Sequence, residues 1–337
     1  MSTDRWLTLD YVKTITLIGM IIVHNAVWWI FNHPQQMDAA VAHFGTIGHF
    51  LGFFVMLIPV TAGSALYFYF RQHRGGRLLD ARRVLGRALL LIIVGYVMNA
   101  FAFGTAYLWQ WNVLQFFSLS MLLVYVIVRY GQKWMLVVMG AIALIGAPLL
   151  REMLGMYDHI YPVAIAIGEP QGVHIWALFP WLSFIVLGFF IADWVRLLHE
   201  KVRVYTLLGL GVLITSVTTL LSGTFLLPFD FYNPWGATVF QPPTLQVLSI
   251  MGIGFLLFAV AECLERISFA WMNRVVHTMS VGLLYTYVVH MILGYQLNAW
   301  VLSHSTGGVW IFLFMAVQIL MAYYIGRLVL RTKQASK

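Results

Sequence analysis

Residues 9–25 read LDYVKTITLIGMIIVHN, an apolar run interrupted by Asp10, Lys13 and His24. A run of this composition predicts a transmembrane helix. Eleven positions separate Lys13 from His24, about three helical turns plus ~20° with a rise of roughly 16 Å, so both project from one face at different depths. Asp10 lies three positions before Lys13, on the same face and within ion-pair reach. Because charge at membrane depth is costly, these residues indicate a functional site.

The rest of the chain has the composition of an integral membrane protein. Of its 337 residues, 61% are hydrophobic and 9% are charged, whereas soluble domains carry ~25% charged residues. Apolar segments of about 18 to 25 residues are each long enough to cross the hydrocarbon as a helix. They lie near residues 8–31, 46–70, 85–104, 109–128, 134–150, 174–194, 205–223, 244–262, 277–300 and 308–326. The sequence therefore predicts an all-α, polytopic transmembrane bundle of about 10 spans, forming a single domain over residues 1–337.

The positions of the basic residues indicate the topology. Of the 20 Lys and Arg residues, 18 lie at the termini or in even-numbered connections, which places both termini in the cytoplasm by the positive-inside rule. We therefore interpret the net charge of +8 as a topology signal and expect no nucleic-acid partner. The second connection holds the cluster RQHRGGRLLDARR at residues 71–83, whose Arg side chains either anchor the inner side or bind a nucleotide phosphate.

Histidine residues gather toward the predicted outer side. They are His24, His33, His43, His49 and His174. His290 lies in the middle of the ninth segment, where an imidazole requires a hydrogen-bond partner or a water-lined cavity. Histidine can act near neutral pH as a general base, or as a nucleophile that carries an acyl group. Lys13 either pairs with Asp10 at the helix entrance or faces a phosphate or pantetheine carbonyl.

Other chemistries receive no support from the sequence. The one cysteine, Cys263, excludes an internal disulfide and a cysteine metal cluster. The sequence contains no nucleophile elbow, no phosphate-binding Walker loop and no HExxH metal motif. We therefore expect neither a metal nor haem.

The opening run resembles that of polytopic membrane acyltransferases, in which an acidic residue, an Arg, ten further residues and a His occupy the first helix. Lys13 stands at the Arg position here, which keeps the charge but loses the bidentate fork. Further segments resemble the heparan-alpha-glucosaminide N-acetyltransferase catalytic family and its bacterial relatives. These segments are residues 48–63, 111–122, 174–194, 241–257 and 279–290, and they carry His49, Gln115, Trp181, Gly252 and His290.

The resemblance implies a membrane acyltransferase of the bacterial inner membrane. It would move an acyl group, acetyl by expectation, from acetyl-CoA as co-substrate to a sugar amine or hydroxyl of a glycan or glycolipid. His24 would be the general base or acyl carrier, with His33 as the second candidate. The expected site comprises His24, His33, His49, Asp10 and Lys13 for catalysis; Asn112, Gln115, His174, Trp181 and His290 for substrate binding; and Arg71, Arg74 and Arg77 for the CoA phosphates. A homo-oligomer is left open.

Two alternatives use the same residues differently. In a proton-coupled transporter or flippase for a small polar or lipid-linked substrate, the buried charges would form a relay and the aromatic outer loops a gate. In a haem protein, paired intramembrane histidines would face each other on neighbouring helices. An acetyl-CoA requirement separates the first alternative from an enzyme, and an absorption spectrum tests the second.

Overall fold

A computed structural model describes residues 6–32, 52–72, 81–157, 160–168, 176–225, 241–304 and 309–335. Of these residues about 90% are helical, and no strand occurs among them. The helices are α1 (Leu7–Asn32), α2 (Ile58–Gln72), α3 (Ala81–Phe103), α4 (Val113–Tyr130), α5 (Lys133–Leu154), α6 (Tyr161–Ile167), α7 (Leu178–Asp193), α8 (Glu200–Ser222), α9 (Thr244–Ile267), α10 (Ala270–Val281), α11 (Leu283–His304) and α12 (Val309–Ala335). The all-α prediction is confirmed.

Eight helical stretches of the described chain are long and apolar enough to cross a membrane. The number rises to nine if α10 and α11, which are bent by 66° at Gly282, are counted as one broken span. The sixth predicted span corresponds to α7, an apolar helix of only 16 residues. Several helices long and apolar enough to span a membrane are therefore confirmed, whereas the count of ten and the cytoplasmic termini stay predictions.

The chain divides into two compact units. The terminal unit takes the described residues of Met1–Ile58 and Leu256–Lys337, and the central unit takes those of Pro59–Phe255. The sequence predicted one domain, and that prediction is not tested by this division.

In the terminal unit, α1 packs against α10, α11 and α12. Leu17, Met20 and Ile21 of α1 are buried against Met279 of α10 and Ala322 of α12. Small residues allow the helices to approach closely, as is common in membrane bundles. A Cβ atom at Gly326 of α12 would overlap the carbonyl oxygen of Thr278 in α10. The backbones of α10 and α12 are therefore in contact where the broken span bends.

In the central unit, α5 packs along α7 and α3 packs along α4. The hydroxyl of Ser64 in α2 donates a hydrogen bond to the carbonyl oxygen of Gly188 in α7, at 2.8 Å. Ser118 of α4 donates in the same way to the carbonyl oxygen of Ala88 in α3, at 2.8 Å. Buried hydroxyls thus join neighbouring helices, because a hydroxyl buried away from water costs free energy unless it is hydrogen-bonded.

Candidate active site

Two intramembrane histidines meet in the terminal unit. Nδ1 of His24 in α1 lies 3.1 Å from Nε2 of His290 in α11, across 266 positions of sequence. The two rings are nearly parallel, with 4° between their planes and 5.3 Å between their centroids. His290 is fully buried, and His24 is partly buried. One nitrogen of His24 is therefore engaged, while its Nε2 has no hydrogen-bond partner among the described residues.

Two amide side chains, those of Gln318 and Asn25, extend the hydrogen-bond network from the other ring nitrogen of His290. Nδ1 of His290 lies 2.7 Å from Oε1 of Gln318 in α12. The same oxygen accepts a hydrogen bond of 2.8 Å from Nδ2 of Asn25, which also donates to the backbone carbonyl of Ile21 at 2.6 Å. Asn25, His290 and Gln318 are all buried. Buried polar groups in a bilayer are stable only when they are paired in this way.

Trp28 forms one wall of this histidine pair. Its ring centroid lies 5.4 Å from that of His24 and 5.3 Å from that of His290. Gly294, one helical turn after His290, provides the space for this indole, because a Cβ atom there would overlap Cζ3 of Trp28. The wall thus depends on a glycine at this position.

The charged residues near the start of α1 lie at a second place in the terminal unit. The Asp10 carboxylate accepts a hydrogen bond from the Ser280 hydroxyl at 2.6 Å and lies 3.2 Å from Nδ1 of His277. Lys13 is partly buried and lies within electrostatic reach of Asp10 and of Lys333 in α12. Asp10 and Lys13 are therefore close, as predicted. The two groups that contact the Asp10 carboxylate, the Ser280 hydroxyl and the His277 ring, both belong to α10.

Sequence reasoning missed two members of this region, His277 and Glu262. The Glu262 carboxylate of α9 is 2% exposed and accepts hydrogen bonds from Nε1 of Trp6 at 3.0 Å and from the Thr8 hydroxyl at 2.9 Å. Arg266, one turn later, lies 4.0 Å from it. An acid inside the eighth apolar segment was the available signal, since a carboxylate at such a position requires partners.

Asn112 and Gln115, predicted to bind substrate, begin helix α4 in the central unit. The Asn112 side chain accepts a hydrogen bond from the amide of Val113 at 2.6 Å, and Oε1 of Gln115 accepts one from the amide of Asn112 at 3.1 Å. Nδ2 of Asn112 donates to Oδ1 of Asn99 at 2.9 Å. These bonds satisfy amides that a helix start otherwise leaves unpaired. Both side chains thus have a structural role, and substrate binding stays a prediction.

Trp181 is buried in α7 of the central unit. Its ring centroid lies 4.7 Å from that of Trp176 and 5.3 Å from that of Phe184. The indole is 1% exposed, so its contacts are those of a packing residue. A role in substrate binding, predicted from the sequence, is not tested by this packing.

Arg151 ties together several connections of the central unit. Its guanidinium donates to the backbone carbonyls of Ile167 at 3.0 Å, Gln241 at 3.1 Å, Pro242 at 3.4 Å and Phe179 at 3.3 Å. Backbone carbonyls from three separate parts of the central unit therefore share one cation as their partner. In the sequence, Arg151 lies between the fifth and sixth apolar segments and is one of the two basic residues outside the termini and the even-numbered connections.

Of the predicted CoA-binding arginines, Arg71 lies in the last turn of α2 in the central unit. Several predicted residues lie outside the described part of the chain. These are His33, His49, Arg74, Arg77 and His174. Their roles stay predictions.

The described residues contain no group of three or more His, Cys, Asp or Glu side chains that could hold a metal ion. The chemistry available at the histidine pair is that of its imidazole nitrogens. A neutral imidazole with one free nitrogen can accept a proton or attack a carbonyl carbon. The site can thus support acid–base catalysis or acyl transfer.

The comparison with known families agrees with this chemistry. Residues 5–204 match the family model described as heparan-alpha-glucosaminide N-acetyltransferase, catalytic. The match covers more than half of the chain, and the chain belongs to this family of membrane acetyltransferases. His24 lies within the matched range, whereas His290 and Gln318 lie beyond it. No curated protein and no solved structure matches the chain.

Proposed function

We propose that the protein transfers an acetyl group from acetyl-CoA to a sugar amine or hydroxyl of a glycan or glycolipid, and that His24 is the base. The observation that carries the proposal is the unequal use of the His24 ring. Nδ1 contacts His290 at 3.1 Å, while Nε2 has no hydrogen-bond partner among the described residues. Membership of the acetyltransferase family supports the donor and the type of group.

The proposed step is a direct acyl transfer assisted by a general base. Nε2 of His24 takes the proton from the acceptor amine or hydroxyl as its nitrogen or oxygen attacks the thioester carbonyl carbon. The new bond to carbon forms, the carbon–sulfur bond breaks, and the CoA thiolate leaves with the proton returned by Nε2. The products are the acetylated sugar and free CoA. A positioned general base contributes ~10²–10⁴-fold to such a rate.

The same nitrogen can act as an acyl carrier instead. Nε2 would attack the thioester carbon itself, CoA would leave as the thiol, and the acceptor would then take the acetyl group from the imidazole. Burst kinetics with release of CoA before the acceptor is added would support this second route. Formation of free CoA only after the acceptor is added would favour the general base.

The remaining predicted residues are proposed to hold the two substrates. Lys13 and Asp10 would line the cytoplasmic part of the path. His33 and His49 are proposed as further catalytic residues. The CoA phosphates would be bound by Arg71, Arg74 and Arg77, and the acceptor by Asn112, Gln115, His174 and Trp181. The protein is proposed to lie in a bacterial inner membrane with its termini in the cytoplasm.

Purified protein in detergent, given acetyl-CoA with a labelled acetyl group and a panel of amino sugars and neutral sugars, tests the activity. We expect label on at least one acceptor and release of free CoA in equal amount. Absence of transfer, of hydrolysis and of CoA binding would rule out the enzyme. The His24→Phe variant provides the matched control, because it keeps an aromatic ring without nitrogen.

The bent pair of α10 and α11 favours a second candidate, a transporter. Broken spans often line substrate paths in transporters, and this one is bent by 66° at Gly282. A transporter would move its substrate unmodified through proteoliposomes and would need no acetyl-CoA. Uptake of unmodified sugar without acetyl-CoA would therefore favour this candidate over the enzyme.

A further inference from the structure

We infer that the backbone carbonyl of Ile21, acting through Asn25, Gln318 and His290, fixes the tautomer of His24 with its proton on Nδ1. The inference rests on the proposed function, in which Nε2 of His24 is the base. His290 thereby changes from a predicted substrate ligand to a positioning residue. Four hydrogen bonds link these groups: Ile21 to Asn25, Asn25 to Gln318, Gln318 to His290, and His290 to His24. In each of them, the chemistry of the two atoms decides which one donates.

The donor and acceptor roles are first fixed at Asn25. Its Nδ2 atom lies 2.6 Å from the carbonyl oxygen of Ile21, which can only accept a hydrogen bond. The amide nitrogen must therefore face this carbonyl, because the reversed amide would place two oxygen atoms against each other. The second proton of Nδ2 donates to Oε1 of Gln318 at 2.8 Å. The orientation of Asn25 is thus fixed by the backbone.

The orientation of the Gln318 amide then decides which nitrogen of His290 carries the proton. The reversed Gln318 amide would place its nitrogen against Nδ2 of Asn25, donor against donor, so Oε1 must lie where it does. This oxygen also lies 2.7 Å from Nδ1 of His290. Since an amide oxygen cannot donate, Nδ1 of His290 carries the proton of this bond. Because charge at membrane depth is costly, His290 is neutral. A neutral His290 with its proton on Nδ1 has a lone pair on Nε2, which is therefore an acceptor.

His24 completes the chain of hydrogen bonds. Its Nδ1 atom lies 3.1 Å from Nε2 of His290, and a hydrogen bond there requires the proton on His24 Nδ1. The lone pair of a neutral His24 is consequently on Nε2. The other tautomer would set two lone pairs against each other within the bundle and lose this bond. The hydrogen-bond network therefore selects the tautomer with a basic Nε2 before any substrate binds.

The geometry of the rings agrees with this arrangement. The rings of His24 and His290 are almost parallel, at 4°, and Trp28 packs against both. This packing limits rotation of either ring about its side chain. His290, Gln318 and Asn25 thus act through His24, and none of them needs to touch a substrate.

Nitrogen NMR of protein labelled with ¹⁵N in its histidines measures the tautomer directly. Comparison with a His24→Ala sample assigns the His24 signals. In substrate-free protein we expect a protonated, pyrrole-type Nδ1 and an unprotonated, pyridine-type Nε2 for His24. The reverse pattern in the wild-type protein would overturn the inference, and this measurement needs no variant other than the assignment sample.

Substitutions then test the route. Gln318→Leu removes the acceptor of His290, so we expect His24 to become a mixture of tautomers and kcat to fall by on the order of 10²-fold, the lower end of a general-base contribution. The matched control is Thr286→Val, one turn before His290 on α11. The Thr286 hydroxyl is buried and has no hydrogen-bond partner among the described residues, so this change should leave the tautomer and kcat unaltered.

A pair of His290 variants separates positioning from packing. His290→Phe keeps the ring but removes the acceptor, so the His24 tautomer should become mixed and kcat should fall. His290→Gln places an amide oxygen near the position of Nε2 and should restore most of the Nδ1-protonated form and of kcat. Equal loss in both variants, with an unchanged His24 spectrum, would show a packing role and overturn the inference.

The two claims fail in different ways. A pyridine-type Nε2 that depends on Gln318, in a protein that transfers no acetyl group to any acceptor, would uphold the tautomer and reject the proposed function. Acetyl transfer by a protein whose His24 is protonated at Nε2 in the resting state would reject the tautomer and leave the activity standing.

Discussion

Asp10 and Ser280 are joined by a hydrogen bond of 2.6 Å across 270 positions of sequence. The carboxylate also contacts His277 at 3.2 Å, so one acid holds the start of α1 to α10. We expect Asp10→Leu to lower the free energy of unfolding by ~1–3 kcal/mol, because it leaves the buried Ser280 hydroxyl without its acceptor. Thermal unfolding in detergent, followed by circular dichroism, measures the loss.

Asp10→Asn is the control for this prediction. Its side-chain oxygen can still accept from Ser280, so the loss should be smaller than in Asp10→Leu. If both variants melt with the wild type, the contact between Asp10 and α10 does not stabilise the protein. If Asp10→Asn keeps its stability but loses acetyl transfer, the carboxylate has a second role at the site.

The close crossing of α10 and α12 provides a stability prediction. A Cβ atom at Gly326 would overlap the backbone oxygen of Thr278, so Gly326→Ala should force the helices apart and destabilise the protein by ~1–3 kcal/mol. The comparison is Gly209→Ala in α8, where a Cβ atom has open space and helix propensity favours alanine. Unfolding midpoints that fall in both variants alike would remove the crossing as the cause.

Asn112 offers a test that separates a structural role from a substrate role. Asn112→Ala removes the cap of α4 and should cost ~1 kcal/mol of stability, whereas serine is a comparable cap residue and should keep most of it. If Asn112 also binds the acceptor, Asn112→Ser should raise KM for the acceptor while the unfolding midpoint stays near that of the wild type. An unchanged KM in the serine variant would reduce Asn112 to its capping role.

The positions of the helices were predictable from the sequence, because an apolar run long enough to cross a bilayer can satisfy its backbone hydrogen bonds there as a helix. The count of spans was less so, since α7 has only 16 residues and the ninth segment is broken at Gly282. A bend of this kind depends on contacts with other helices, such as that between Gly282 and Gly326. Sequence periodicity within one segment carries no record of those contacts.

The candidate site was predictable in part. The cost of charge in a membrane selected His24, Lys13 and Asp10 from one helix, and it also drew attention to His290. The pairing of His24 with His290 could not be read from the sequence, because it depends on the packing of helices 266 positions apart. Gln318 was missed for the same reason, since an amide in an apolar helix is informative only once its neighbour is known.

The activity of the His24→Phe variant tests the central claim most directly. Purified wild-type protein and His24→Phe would receive labelled acetyl-CoA and the best acceptor of the panel, with CoA binding measured on both. The account predicts that His24→Phe binds CoA as the wild type does but loses the ~10²–10⁴-fold that a general base contributes. Transfer by the variant at the wild-type rate would contradict it.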